Sequence, residues 1–264
     1  MRDRRKPARW RVVAWLIVAC AALASPLAAQ TKSALPPDTP PACRTPPGVI
    51  GDVQVLARSA AVAVRTRRLK VVAIGSSTTA GVGATDRAHA WPARLETELR
   101  RRLPNADIEV VNLAEMRQTS QLMVARFSAV LEQRPDIVVW EVGTAEAVRH
   151  LDVEDFFRTV QQGIETLTQR GVDVVLVDPQ YARDTARLIT FDPYIAAIQR
   201  AAQMRDVGVF HRHAVMRYWV ENGQFQFDSV RPADFARVAD SAYDCIGRLL
   251  AHFIIEGLRA GGAR

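Results

Sequence analysis

The sequence is poor in cysteine and in aromatic residues, and it lacks the motifs that mark several common kinds of site. It has three cysteines in 264 residues, and aromatic residues make up 7%. No Cys-x-x-Cys or His-x-x-x-His pair occurs, so the spacing gives no indication of a metal site. Gly81 and Gly83 do not fit Gly-x-Gly-x-x-Gly, which argues against a dinucleotide cofactor. We therefore expect no cofactor and no metal.

The chain's excess of positive charge lies at its N-terminus. The formal net charge is +7, but residues 1–29 hold six arginines and lysines and one aspartate, which leaves 29 basic and 27 acidic residues elsewhere. This near-neutral remainder gives no reason to expect nucleic-acid binding. The basic start, a short apolar run at 12–23 and small residues at 25–29 are typical of a signal peptide. We predict a signal peptide over residues 1–29.

The leader predicts that the protein is exported, to the periplasm or the extracellular space. Its apolar run is short for a membrane span. An uncleaved N-terminal anchor remains an alternative, as does lipidation at Cys20, where residues 17–20 loosely resemble a lipobox. In either case we expect contact with a membrane only through this leader.

Export would leave Cys43 and Cys245 as the two cysteines of the mature chain. An even count in an oxidising compartment indicates one disulfide, and two unpaired thiols are the alternative. In the chain-entropy model a bond that closes so long a loop stabilises the fold by about 4–5 kcal/mol.

One domain is predicted after a proline-rich N-terminal extension at residues 30–68. Within residues 69–264, short apolar runs alternate with amphipathic stretches, which predicts strands at 70–74, 108–111, 136–142, 171–177 and 207–210. Helices are predicted at 91–103, 121–133, 152–170, 192–205, 214–221 and 240–258. This alternation predicts an α/β fold, a single three-layer α/β/α domain with a flavodoxin-like parallel sheet of about five strands.

The segment 69–85, LKVVAIGSSTTAGVGAT, is the most informative part of the sequence. Its apolar strand ends at Gly75 and runs into a turn of serines and threonines. Open α/β sheets place their sites at the carboxyl ends of their strands, so a serine just after the glycine is a candidate nucleophile. A connecting loop without any chemistry would also use small residues.

The order of these elements resembles the SGNH/GDSL hydrolase superfamily, and most of all its exported bacterial branch with a GSSxTAG first block. The resemblance covers about residues 69–258. It rests on VVAIGSSTTAG around Ser77, Trp91-Pro92, Asn112 after the second strand, Gly143-Thr144 after the third, and Tyr243-Asp244-Cys245-Ile246 in the last helix.

The resemblance implies ester hydrolysis by Ser77, with a histidine as base and an aspartate three residues before it. The family stabilises the oxyanion with the serine N–H, a glycine N–H and an asparagine side chain. The glycine position is Arg117 in this chain, and the asparagine position, after Gly143 and Thr144, is Ala145. Loss of one such side-chain donor costs a working enzyme roughly 3–4 kcal/mol of transition-state stabilisation.

The family's Asp-x-x-His falls on Asp234 and Arg237. An arginine has a pKa above 12 and cannot take the serine proton at neutral pH. Arg117 and Arg237 could together bind an anion, or each could pair with a nearby carboxylate: Glu115, Asp234 or Asp240. A relocated base is a further alternative, and the candidates are His89, His150, His211, His213 and His252.

Three functional hypotheses therefore stay open. The chain could be a catalytically impaired member of the superfamily that binds a small-molecule or carbohydrate ester, for instance a glycan, without cleaving it. It could be an active serine esterase or deacetylase with a relocated base. It could also be a structural protein of the cell envelope.

Overall fold

A computed structural model describes residues 34–228 and 230–262, so the predicted signal peptide and Cys20 lie outside the described residues. The centre of the fold is one parallel sheet of five strands in the order β2-β1-β3-β4-β5. The strands are β1 (Arg68–Ile74), β2 (Asp107–Asn112), β3 (Ile137–Glu141), β4 (Asp173–Val177) and β5 (Gly208–Phe210). The predicted fold class is confirmed.

Helices cover both faces of this sheet. They are α1 (Ala57–Thr66), α2 (Trp91–Arg102), α3 (Ser120–Val124), α4 (Phe127–Glu132), α5 (Thr144–Val148), α6 (Val153–Gln169), α7 (Arg183–Leu188), α8 (Asp192–Arg205), α9 (Arg212–Glu221) and α10 (Pro232–Gly262). None of the helices within the described ranges combines the length and the apolar character that a membrane crossing requires.

Alternate residues of the strands point to opposite faces, and each face has its own apolar core. In β1, Val71 and Ala73 pack with residues of α2, α9 and α10, whereas Val72 and Ile74 pack with residues of α3, α4, α6 and α8. Because both faces are covered, the strands are apolar throughout instead of alternating with polar residues.

Two predicted helices differ from the structure. The helix predicted at 121–133 is two helices, because the chain leaves helical geometry at Arg126, whose guanidinium bonds to the Leu113 carbonyl and to Glu115. The last helix begins at Pro232 instead of at residue 240. This earlier start matters for the site, because it brings Asp234 and Arg237 into the helix.

The proline-rich extension is bound to the domain through several contacts, among them a disulfide and a backbone hydrogen bond. Cys43 and Cys245 form a disulfide with a Cα–Cα distance of 5.0 Å, so the predicted bond is confirmed. Further on, the Leu56 N–H donates to the Gly257 carbonyl at 3.0 Å, and α1 packs beside the end of α10. The domain boundary at residue 69 stays a prediction.

Candidate active site

Ser77 lies in a tight turn at the carboxyl end of β1. A Cβ atom on Gly75 would come within 2.3 Å of Thr79 Oγ1 and 2.9 Å of the Glu141 side chain, so only glycine fits there. The turn then closes on itself, since the Val82 N–H donates to the Ser77 carbonyl at 2.9 Å. Ser77 itself is half-buried, so its hydroxyl lies at the rim of the sheet and not in the core.

Arg117 has the backbone conformation that a glycine at this position would adopt. Its φ is 62°, in the left-handed region that glycine enters at low cost. Its N–H donates to Ser77 Oγ at 3.2 Å, and the Arg149 guanidinium donates to its carbonyl at 2.8 Å. The backbone donor at this position is therefore present although the side chain is not glycine's.

The segment after β3 has no side-chain hydrogen-bond donor at Ala145, the position of the family's asparagine. Gly143 has a φ of 93° and precedes α5. The Thr144 hydroxyl donates to Glu141 Oε1 at 2.9 Å. Ala145 is buried and offers only a methyl group.

Asp234 and Arg237 form an ion pair in the first turns of α10. Arg237 Nη2 lies 2.7 Å from Asp234 Oδ1, and Arg231 bonds to the other carboxylate oxygen. These guanidinium groups hold the pKa of Asp234 below its usual value. Arg237 thus pairs with a nearby carboxylate, which was one of the two alternatives for this residue. Arg117 makes no side-chain ion pair with any described residue.

No described histidine forms a hydrogen bond with Ser77. His89 Nδ1 lies 2.8 Å from Asp86 Oδ1, in the loop that leads from the Ser77 turn to α2. His211 and His213 are largely buried, and this burial lowers the pKa of both. The His213 ring packs edge-on against Tyr181, and His252 is buried in α10.

A buried ion pair that we did not predict from the sequence lies directly beneath the turn. Arg212 Nη2 is 3.1 Å from Glu141 Oε1, and their side chains are 2% and 1% exposed. Glu141 also accepts the Ser76 N–H at 2.9 Å and the Thr79 hydroxyl at 3.1 Å. Arg212 Nη1 donates to Thr78 Oγ1 at 3.0 Å. The ion pair therefore holds three residues of the turn, Ser76, Thr78 and Thr79, on both sides of Ser77.

Asp178, just after β4, extends this network. Its carbonyl accepts from Arg212 Nε at 3.1 Å, and its Oδ1 accepts the His213 N–H at 2.7 Å. Burial raises the pKa of Asp178 to about 7, more than these donors lower it. One signal in the sequence could have revealed the network, namely a lone charged residue at the end of an otherwise apolar strand.

Exposed apolar side chains flank the turn. Val82, Met116 and Phe235 are 48%, 65% and 52% exposed. The Phe235 ring packs against Gly83, and the Tyr243 hydroxyl donates to the Val82 carbonyl at 2.6 Å. The start of α10 thus lies against the loop after Ser77 and presents an aromatic ring beside it.

Solved structures with a similar fold are esterases and acylhydrolases. A two-domain esterase (CEX) active on acetylated mannans, co-crystallised with mannopentaose, aligns with a TM-score of 0.65 at 19% identity; the alignment covers 78% of this chain and 55% of the esterase. TesA aligns with a TM-score of 0.58 at 19% identity, covering 71% and 99%. The lipase/acylhydrolase from Enterococcus faecalis aligns with a TM-score of 0.56 at 23% identity, covering 70% and 95%.

This chain therefore spans about half the length of the two-domain esterase. No curated protein matches it. The resemblance to the SGNH/GDSL hydrolase superfamily is confirmed by these folds and by a family match over residues 42–260. On that match, the chain belongs to the Non-GDSL lipase-like family.

Proposed function

We propose that this protein is an exported relative of the SGNH/GDSL esterases that binds an acylated carbohydrate without hydrolysing it. The observation that carries the proposal is the ion pair between Arg237 and Asp234 at the position where the superfamily has its histidine and aspartate. Without a base, Ser77 keeps its proton, and an un-ionised hydroxyl is a weak nucleophile.

The same site retains groups that recognise an ester. The Ser77 hydroxyl and the Arg117 N–H lie side by side at 3.2 Å, and together they can donate to an ester carbonyl. Phe235 adds an exposed ring against Gly83, in the loop that follows the Ser77 turn, and small-molecule sites combine apolar walls with a few placed polar groups. The carbohydrate part of the proposal follows from the two-domain esterase, which is active on acetylated mannans.

Hydrolysis of p-nitrophenyl acetate tests the absence of catalysis. We expect the wild-type protein and Ser77→Ala to give the same background rate. The double variant Arg237→His with Ala145→Asn restores a base and an oxyanion donor, and we expect it to gain turnover that a further Ser77→Ala change removes. Wild-type turnover that disappears in Ser77→Ala would overturn the proposal.

Calorimetric titration tests binding. We expect acetylated manno-oligosaccharide to bind, and its deacetylated form to bind at least tenfold more weakly because it lacks the ester carbonyl. Phe235→Ala should weaken binding, whereas Leu188→Ala, at a still more exposed apolar residue of α7, should leave it unchanged. Failure of both sugars to bind would favour the structural alternative, an envelope protein with no ligand.

An active esterase with a relocated base is a second candidate, and the Asp86–His89 pair favours it. The Asp86 carboxylate forms a hydrogen bond with His89 Nδ1, and Nε2 has no hydrogen bond to any described residue. A catalytic histidine is held by its aspartate in the same way. This candidate requires turnover that falls to background in both Ser77→Ala and His89→Ala. Activity that survives His89→Ala would exclude His89 as the base.

Export is the remaining part of the proposal. It is supported by the leader-like residues 1–29 and by the disulfide, since such bonds persist in oxidising compartments. We expect N-terminal sequencing of the protein from cell fractions to find a mature chain that begins near residue 30 outside the cytoplasm. An intact N-terminus in a cytoplasmic fraction would contradict it.

A further inference from the structure

A cavity lies at the end of the sheet opposite to Ser77. It has a volume of about 680 Å³, is partly open to solvent, and is bordered by α1, the start of β1, the turn after α2 and the end of α10. Most of its wall is apolar, with Leu69, Leu103, Ile255 and Leu258 among the contributing side chains. Its volume falls within the range of small-molecule sites.

Three arginines line this cavity, and no carboxylate does: Arg67, Arg102 and Arg259. Arg259 already pairs with Glu256 at 2.6 Å. Arg67 and Arg102 form no side-chain hydrogen bond or ion pair with any described residue. The cavity is therefore apolar and positively charged, which suits a ligand that is apolar and negatively charged.

Arg102 carries the strongest indication of a missing partner. Its Nη1 atom is buried and makes no hydrogen bond within the described part of the chain. Arg102 as a whole is only partly buried, but a buried guanidinium nitrogen without a partner is costly, and native structures rarely leave one. Burial also lowers the pKa of Arg102, although its charge is retained at neutral pH.

Two carboxylates near Arg102 already form ion pairs with other arginines. Both oxygens of Glu98 bond to Arg101, at 2.6 and 2.8 Å, and one also lies 3.4 Å from Arg248. Asp38 lies 2.8 Å from Arg101. Glu98 and Asp38 thus bond to Arg101, and neither forms an ion pair with Arg102 within the described residues.

We propose that this cavity binds a single-chain anionic amphiphile, whose carboxylate or phosphate head pairs with Arg102 and whose hydrocarbon chain lies against Leu69, Leu103 and Leu258. Guanidinium groups bind both kinds of head in a bidentate manner. This site is separate from Ser77 and does not depend on the function proposed there.

Calorimetric titration of the full chain tests the proposal with three probes below their micelle concentrations: decanoate, decyl phosphate and decan-1-ol. We expect at least one anionic probe to bind tenfold or more tightly than the alcohol, and the stronger of the two identifies the head group. Arg102→Met keeps the length of the side chain without its charge, and should abolish that preference. Equal binding of all three probes would overturn the proposal.

A matched variant and a second readout separate binding from a structural role. Arg158→Met removes an exposed arginine of α6 on the other face of the sheet and should leave affinity unchanged. Without ligand, Arg102→Met should raise the melting temperature, because it removes a partly buried guanidinium whose Nη1 atom has no hydrogen-bond partner among the described residues. A lower melting temperature, or equal loss of affinity in both variants, would contradict the proposed role of Arg102.

Discussion

The Ser77 turn and the start of α10 meet at the same edge of the sheet, yet they are built in opposite ways. The turn rests on Glu141 and Arg212, which are almost fully buried. The start of α10 carries the Asp234–Arg237 pair, in which the arginine side chain is 76% exposed. One region is part of the core, and the other is surface.

This difference accounts for a nucleophile-like turn beside a helix start where, as we propose, the base is absent. Substitution of a glycine, serine or threonine in the turn disturbs a buried network, whereas an exposed position in α10 tolerates exchange with little loss of stability. The turn therefore has a structural role that does not require catalysis. A serine in a turn that resembles the family's first block is weak support for hydrolysis unless a base is also present.

The strongest way to test this comparison is to break the buried pair. Arg212→Met leaves Glu141 as an unpaired buried charge, and we expect the free energy of unfolding to fall by about 3–5 kcal/mol. Chemical denaturation measures it. Arg158→Met, at the exposed pair with Asp155, should cost less than about 1 kcal/mol.

A second variant separates charge from packing in the same experiment. Arg212→Met combined with Glu141→Gln removes both charges but keeps an acceptor for the Ser76 N–H. We expect it to be more stable than Arg212→Met alone. If the double variant is the less stable of the two, an unpaired charge is not the source of the loss.

The titration of Asp178 gives a pH-dependent test of the turn's network. Its pKa rises from an ordinary value near 3.8 to about 7 in the folded protein, so between these values the folded state holds a proton that the unfolded state has lost. The stabilising contribution is complete below pH 4 and disappears as the pH rises through 7, a loss on the order of 4 kcal/mol.

Denaturation curves between pH 4.5 and 8 check this contribution. Asp178→Asn imitates the protonated side chain and can still accept the His213 N–H, so we expect a flatter dependence of stability on pH than in the wild type. Equal slopes for the two proteins would mean that Asp178 is ionised in the folded state throughout this range.

The sequence was sufficient for the fold, and it predicted that Ser77 lies just after the first strand of the domain. Apolar runs at 70–74 and 136–142 predict buried strands because strands covered on both faces need no polar residues. The sequence was insufficient for the network around Arg212, since its partners are 71 and 34 residues away and only the sheet order brings them together. The left-handed backbone of Arg117 was likewise invisible, because most non-glycine residues avoid that conformation.

The smallest effect is expected at the start of α10. Arg237→Met removes an exposed pair, and Asp234 keeps its bond to Arg231, so we expect the melting temperature to change by less than about 2 °C. Thermal denaturation beside Arg212→Met measures both regions under one condition. A fall as large as that of Arg212→Met would mean that the helix start is as integral to the fold as the turn. Arg237 would then be retained for stability, and its occurrence at the histidine position would say little about the loss of catalysis.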